Sequence, residues 1–474
     1  MKHLCLVIVA ILLFLPTCVL AETLYVSPDG MSLTVALEMC ENGDLIELAD
    51  GIYTEVREIY PLCVTKSVTI RAAEGAHPVI DAPAFVAAFR VEADEVRISG
   101  LDIRMRRTGI YAIGDNMTVE NCRIILAEEK WRTSSCGMWM GGIRNAVIRN
   151  CDFEGCSISM AGPPLSDSSK GLPVLTGLFE VGETPEYFVT HTIEDCTVNE
   201  KPLFYAVNQE RVTAPSDAGQ IICARCNEVV IQGADTSCAS MGMILLYNDH
   251  VLIERSKADQ CGVFGIYVAK CRRGILRDCS TDGTNHGMDI RASQRIMLER
   301  CVATNCDQGL FFSFVSNSMM VDCLVENTGQ GYFSAGGENN VFLRCRAAAC
   351  ENGINLQKEG TCIVAECVIE GCTVCGARLD WTPASFLNNT VRNNWVGVMA
   401  YGNVQFRLLG NAFMENQGCG LYLRDIAFSH FSSNTFVGHE KTSVEAYGTM
   451  SNSMWYDNDL DIPAVLEDGA LLSK

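Results

Sequence analysis

His286, Asp289 and Arg291 sit within six residues of one another and offer an imidazole, a carboxylate and a guanidinium. Removing the proton next to a uronate carboxylate, as a lyase or an epimerase does, needs a base and a cation that neutralises the neighbouring charge. These three residues are the candidate catalytic set. A second charged pair, Arg378 and Asp380, follows four sequence repeats later. Four strand spacings amount to about 19 Å, whereas the two carboxyl groups of a glycosidase stand about 5 to 9.5 Å apart. Asp289 and Asp380 therefore do not form a hydrolytic pair. His286 also has a plainer reading, as a bend residue beside Gly287.

The same residues belong to a longer series. In a strand every second side chain points to one face. Counting outward positions from a set of recurring glycines gives Tyr267, Asp289 with Arg291, Phe311 with Ser313, Asn355 with Gln357, Arg378 with Asp380, Met399 with Tyr401, and Tyr422 with Arg424. Aromatic rings stack on the apolar faces of sugars, while amides, carboxylates and guanidinium groups take the hydroxyls. The stripe is thus a candidate track for a linear glycan. Its ligand contacts are Tyr267, Asp289, Arg291, Phe311, Asn355, Gln357, Arg378, Asp380, Tyr401, Tyr422 and Arg424. A solvated face with alternating Asp and Arg would carry the same charges without a ligand.

Such a stripe needs a scaffold that returns to the same place at a fixed interval, and the chain has one. Cys279, Cys301, Cys323, Cys345, Cys367, Asn389 and Asn411 recur every 22 residues. Glycines open an alternating strand in each repeat, at Gly265, Gly287, Gly309, Gly331, Gly353, Gly376, Gly397 and Gly420. A repeat of this length cannot bury its own apolar face and must stack on its neighbours. The alternation has period two, and the fixed leucines and helical return of a leucine-rich repeat are missing. The expected fold is all-β: a single-stranded right-handed parallel β-helix of about 22 residues per turn with a short N-terminal capping helix.

Along the chain, residues 1–21 read as a signal peptide, with Lys2, an apolar run from Leu4 to Leu15, and small residues before the cleavage point. Residues 22–60 read as an N-terminal cap and first strands, in which Val35, Leu37, Met39 and Cys40 supply the apolar side of a helix stopped by Gly43. Residues 61–159 form less regular rungs, 160–220 a loop-rich insertion containing Leu203, Phe204 and Tyr205, 221–440 the regular repeats, and 441–474 a C-terminal cap. The expected location is secreted, periplasmic or cell-surface, with no transmembrane segment after signal cleavage.

The formal charge of -21 and a pI near 4.8 exclude nucleic acid as a partner, because phosphate binding needs a basic face. Of 25 cysteines, those at the 22-residue spacing point the same way from strands about 4.8 Å apart, unlike the converging Cβ atoms of a disulfide. They read as an interior ladder filling the place that asparagine takes at Asn389, Asn411 and Asn434, with a minority pairing between rungs. The pairs Cys223 with Cys226 and Cys372 with Cys375 lie about seven turns apart, roughly 33 Å, so they cannot share one zinc ion. No cofactor is expected. Calcium and copper have no supporting motif.

Residues 32–55, SLTVALEMCENGDLIELADGIYTE, resemble the N-terminal cap of the pectin-lyase-like β-helices, and residues 191–237 are similar to the stretch that precedes the regular repeats of NosD-type proteins. The resemblance covers nearly all of the chain after the signal and departs from the subfamily in using cysteine where asparagine is usual. It implies a β-helix whose relatives include surface proteins, a periplasmic accessory protein of copper-enzyme maturation and distant polysaccharide-degrading enzymes. Two functions follow as expectations: a secreted or surface module that binds glycan, and a polysaccharide lyase or uronan epimerase. A copper-maturation accessory role is a third.

Overall fold

The computed structural model describes residues 21–84, 86–132, 135–162, 184–402, 405–462 and 464–466. The proposed signal segment, apart from Ala21, lies outside the described residues, as do 163–183 of the insertion and the last eight residues. The described chain is a parallel β-solenoid with about 22 residues per turn. A typical coil has three strands, as in Gln294–Glu299, Val302–Thr304 and Gln308–Ser313. Each pairs in parallel with its counterpart one coil on, so Met297 meets Met319, Val302 meets Leu324 and Gln308 meets Gln330. We number the three faces sheets I, II and III in the order the chain meets them.

The corner between sheets I and II explains the cysteine clock. The residue before each ladder position takes a left-handed backbone, as at Asp278, Arg300, Asp322, Arg344, Glu366 and Asn388, with φ between 50° and 55°. The chain turns there and drives the next side chain inward. The ladder cysteines Cys279, Cys301, Cys323, Cys345 and Cys367 are all buried and free, and none of the 23 cysteines in the described residues is in a disulfide. The expected minority of paired rungs is therefore not present.

Their thiols do part of the work of asparagine. Cys301 Sγ donates to Leu276 O at 3.3 Å and Cys345 Sγ to Met320 O at 3.3 Å. Asn389 Nδ2 donates to the equivalent Val364 O at 2.9 Å, and its Oδ1 also accepts from the Cys367 amide at 2.9 Å. The amide thus serves both a donor and an acceptor of the corner backbone, where the thiol donates and its sulfur is only a weak acceptor.

Glycine opens the sheet III strands from Gly265 to Gly420 because the coils approach too closely for a side chain. A Cβ on Gly309 would lie 2.7 Å from Gly331 O. The strand therefore enters with its backbone against the next coil, and residues two and four further on turn outward.

The cap helix, Leu33–Met39, begins at Ser32, whose hydroxyl accepts from the Val35 amide, and ends at Cys40. Its buried side is Leu33, Ala36, Leu37 and Cys40, an i, i+3, i+4, i+7 stripe. Val35 and Met39 are exposed, so their expected place in the apolar face is corrected: the cap at Ser32 sets the helix phase and points them at solvent. Gly43, at φ 95°, serves the turn after the helix rather than its end.

Coils resume inside segment 160–220, with strands at Thr192–Glu194 and Thr197–Val198. Here the stack changes its run: Thr197–Val198 pairs antiparallel with Lys201–Val207. Asn199 and Glu200 between them both have positive φ, 51° and 64°, the conformation of a tight two-residue hairpin turn. Leu203, Phe204 and Tyr205 lie on that strand, packed against the core, and Tyr205 Oη donates to Phe188 O at 2.7 Å. Among the described residues no helix is long and apolar enough to cross a membrane.

Candidate functional site

Two outward columns run up sheet III. Strand register aligns Tyr267, Asp289, Phe311, Phe333, Asn355, Arg378, Met399, Tyr422 and Glu445 in one. Arg291, Ser313, Ala335, Gln357, Asp380, Tyr401, Arg424 and Tyr447 form the other. Every residue of the sequence stripe falls in one of these columns. Their accessibility differs sharply along the axis.

At the N-terminal end the face is covered. Tyr267 and Asp289 have no exposed surface and His286 is 3% exposed, so the expectation of an open track starting at Tyr267 is corrected. Alternation assigns a side chain to the outer face of a sheet but does not tell whether other parts of the chain lie over that face. Burial pushes the Tyr267 phenol well up. Its ring stacks on Phe264 at 4.8 Å, and Phe264 meets the edge of His286 at 4.8 Å.

Within this covered end, His286, Asp289 and Arg291 do come together. His286 Nδ1 lies 2.9 Å from Asp289 Oδ2, and Arg291 grips both carboxylate oxygens, Nε to Oδ1 at 2.7 Å and Nη2 to Oδ2 at 2.8 Å. Burial alone would raise the Asp289 carboxyl. The Arg291 charge and the hydrogen bonds from Arg291 and His286 outweigh that and hold it below the usual carboxylate range. Arg291 is correspondingly raised by Asp289 against its own burial. The Arg291 guanidinium also lies 5.6 Å from the Phe264 ring centre and 5.5 Å from that of Phe311. Asp289 is thus an ionised acceptor spent on two partners, unsuited to act as a base, and its effect is to fix the imidazole and the guanidinium.

From Phe311 onward the face opens. Phe311 and Phe333 are half-buried and stack with centroids 4.3 Å apart and planes 3° from parallel. Beyond them is a chain of amides, Asn355 Nδ2 to Gln330 Oε1 at 2.8 Å and Gln357 Nε2 to Asn355 Oδ1 at 3.3 Å. Then come Arg378, exposed and bonded to Asp380 at 2.9 Å, with its guanidinium 5.6 Å from the Tyr401 ring centre. Tyr401, Tyr422 and Tyr447 continue the line at 5.7 and 5.3 Å between successive centroids, and Arg424 is exposed beside them. A row of phenyl rings, amides, a guanidinium and phenol rings along one axis can offer apolar ring edges and hydrogen bonds to an extended polar polymer.

Phe333, Ala335, Glu445 and Tyr447 are the column members that sequence reasoning missed. Phe333 stands two residues after the clock glycine Gly331, the same offset as Phe311 from Gly309, and that offset is the signal that identifies it. The two CxxC pairs are buried within separate coils, and among the described residues no group of three or more His, Cys, Asp or Glu side chains is arranged to hold a metal ion.

Several solved structures resemble the chain in outline. They include the Azotobacter vinelandii mannuronan C-5 epimerase AlgE6 A-module, with 13% identity over 90% of this chain and 94% of that one at a TM-score of 0.32. The periplasmic alginate epimerase AlgG shares 12% identity over 92% and 88% at 0.32, and pectate lyase Pel9A 16% over 94% and 82% at 0.24. No curated protein sequence matches. Residues 242–396 and 382–460 match the family model described as "Right handed beta helix region", and the chain has the fold of a right-handed parallel β-helix.

Proposed function

We propose that this is an exported β-helix protein that binds a linear polysaccharide along the open part of sheet III, from Phe311 to Tyr447. The observation that carries the reading is the unbroken alignment of aromatic rings and hydrogen-bonding groups on consecutive coils, with Phe311 and Phe333 stacked in parallel planes at one end and three tyrosines at the other. A repeating ligand matches a repeating surface: the coil spacing of about 4.8 Å presents equivalent groups at a constant interval. Export is supported by the signal-like character of residues 1–21. Retention of the purified protein on an array of neutral and acidic polysaccharides tests the proposal, and absence of retention on every one of them rejects it.

A second reading, a lyase or epimerase on an acidic polysaccharide, is favoured by one observation: a buried carboxylate holds His286 through Nδ1, the arrangement that orients an imidazole base. Against it stand the burial of that histidine and the use of the Arg291 fork on Asp289. Incubation with alginate and pectate, followed by the absorbance of unsaturated products and the uronate stereochemistry, separates the two.

A further inference from the structure

One residue beyond the second column the chain turns the corner from sheet III to sheet I, and here two aromatic side chains stand in the open. Phe314 is 69% exposed and Trp381 60%. Both have left-handed backbones, φ 52° and 54°, a conformation that is costly for bulky residues. The turn itself does not ask for an aromatic ring. Equivalent corners carry Ala292 at 44° and Lys358 at 49°.

Each ring has a seat. On the next coil after Trp381 stands Gly402, and a Cβ there would lie 2.6, 2.8 and 2.9 Å from Trp381 Cδ2, Cε3 and Cε2. Three ring atoms at nearly equal distance mean that the indole lies face-down on the glycine. After Phe314 comes Gly336, where a Cβ would lie 2.7 and 2.8 Å from Phe314 Cε1 and Cδ1. Absence of a side chain lets each ring pack one face on the backbone, and the high exposure leaves the other face to solvent. Hydrogen bonds fix the corners that carry them, Phe314 N to Ala335 O at 2.7 Å and Trp381 N to Tyr401 O at 3.0 Å.

We propose that Phe314 and Trp381 are stacking platforms on the rim of the track, each taking the apolar face of one sugar ring of the polysaccharide that lies on it. This rests on the polysaccharide reading above. Aromatic faces are electron-rich and attract the weakly positive C–H edges of a sugar, and a ring held rigid loses little freedom on binding. The two platforms flank the same column, next to Ser313 and Asp380, and lie three coils apart, about 14 Å. One extended chain can therefore touch both.

The test is calorimetric titration of a retained polysaccharide's oligomers into the full-length protein and its W381A, W381F, F314A and F333A variants, with thermal unfolding of each. W381A and F314A are each expected to weaken binding about tenfold, and W381F to stay within about threefold of wild type. Bound oligomer is also expected to shield wild-type tryptophan fluorescence from acrylamide, an effect reduced in W381F. If W381A and F314A bind like wild type while F333A is weakened, the rings only cover their glycines and the platform proposal fails while the track stands. Failure of wild type to bind any oligomer overturns both.

Discussion

The rings of Phe311 and Phe333 lie 4.3 Å apart and 3° from parallel on successive coils, at the point where the outer face of sheet III passes from covered to open. Before them the face is sealed around Asp289; after them, beyond the buried Asn355, it is lined by side chains that reach solvent, from Gln357 and Arg378 to Tyr422 and Arg424. Replacing Phe333 by alanine removes one layer of this stack. F333A is expected to weaken polysaccharide binding about tenfold and to lower stability by about 1 kcal/mol, read by affinity electrophoresis and urea unfolding. Unchanged mobility in a gel that retards wild type would contradict it.

Asp289 is the only carboxylate that satisfies the half-buried Arg291 fork among the hydrogen bonds of the described residues. D289N leaves a guanidinium in the covered end with weakened compensation and is expected to cost about 3 to 5 kcal/mol. The pH dependence has a fixed sign. Because the folded carboxyl titrates below its ordinary value of 3.8, its contribution is present above that pH and is lost as pH falls through the depressed value. Acid unfolding followed by circular dichroism should therefore be shallower in D289N than in wild type.

Cys345 donates to Met320 O but offers no acceptor comparable to that of Asn389, whose Oδ1 takes the Cys367 amide. C345N is expected to stabilise the coil by about 1 kcal/mol, and C345V to destabilise it by a similar amount through the lost thiol bond. Urea midpoints of the two variants under reducing conditions check the order.

His191 accepts from the Ala146 amide through Nδ1 at 3.2 Å and lies 2.8 Å from Tyr187 O through Nε2, so its neutral form completes both bonds. Burial lowers its pKa from 6.5. Its contribution is thus complete above that value and falls away as pH drops toward the depressed one. Stability should decline between pH 7 and 5, with a flatter profile in H191Q; an equal decline in both would assign the effect elsewhere.

The repeat was legible because a solenoid writes its period directly into the chain: Cys301, Cys323 and Cys345 sit at one corner, as their spacing requires. The outward columns followed from the glycines for the same reason. The burial of Tyr267 did not, because alternation assigns a side chain to a face and leaves no mark of how much of that face solvent reaches. The His286, Asp289 and Arg291 cluster was visible as a set, but not its internal pairing, which depends on rotamers chosen in a buried site. The exposed corners at Phe314 and Trp381 also escaped notice, since their meaning lies in the glycine one coil away.

The central claim is that ligand lies lengthwise along the stack. Phe311, Phe333, Asn355, Arg378, Met399, Tyr422 and Glu445 occupy seven successive strands, a span of about 29 Å. Calorimetric titration with a graded series of linear oligosaccharides is the direct test. Affinity should rise with each added sugar until the ligand reaches that span and then level off; an affinity that is the same for the shortest and longest oligomers, or no binding at any length, would contradict the account.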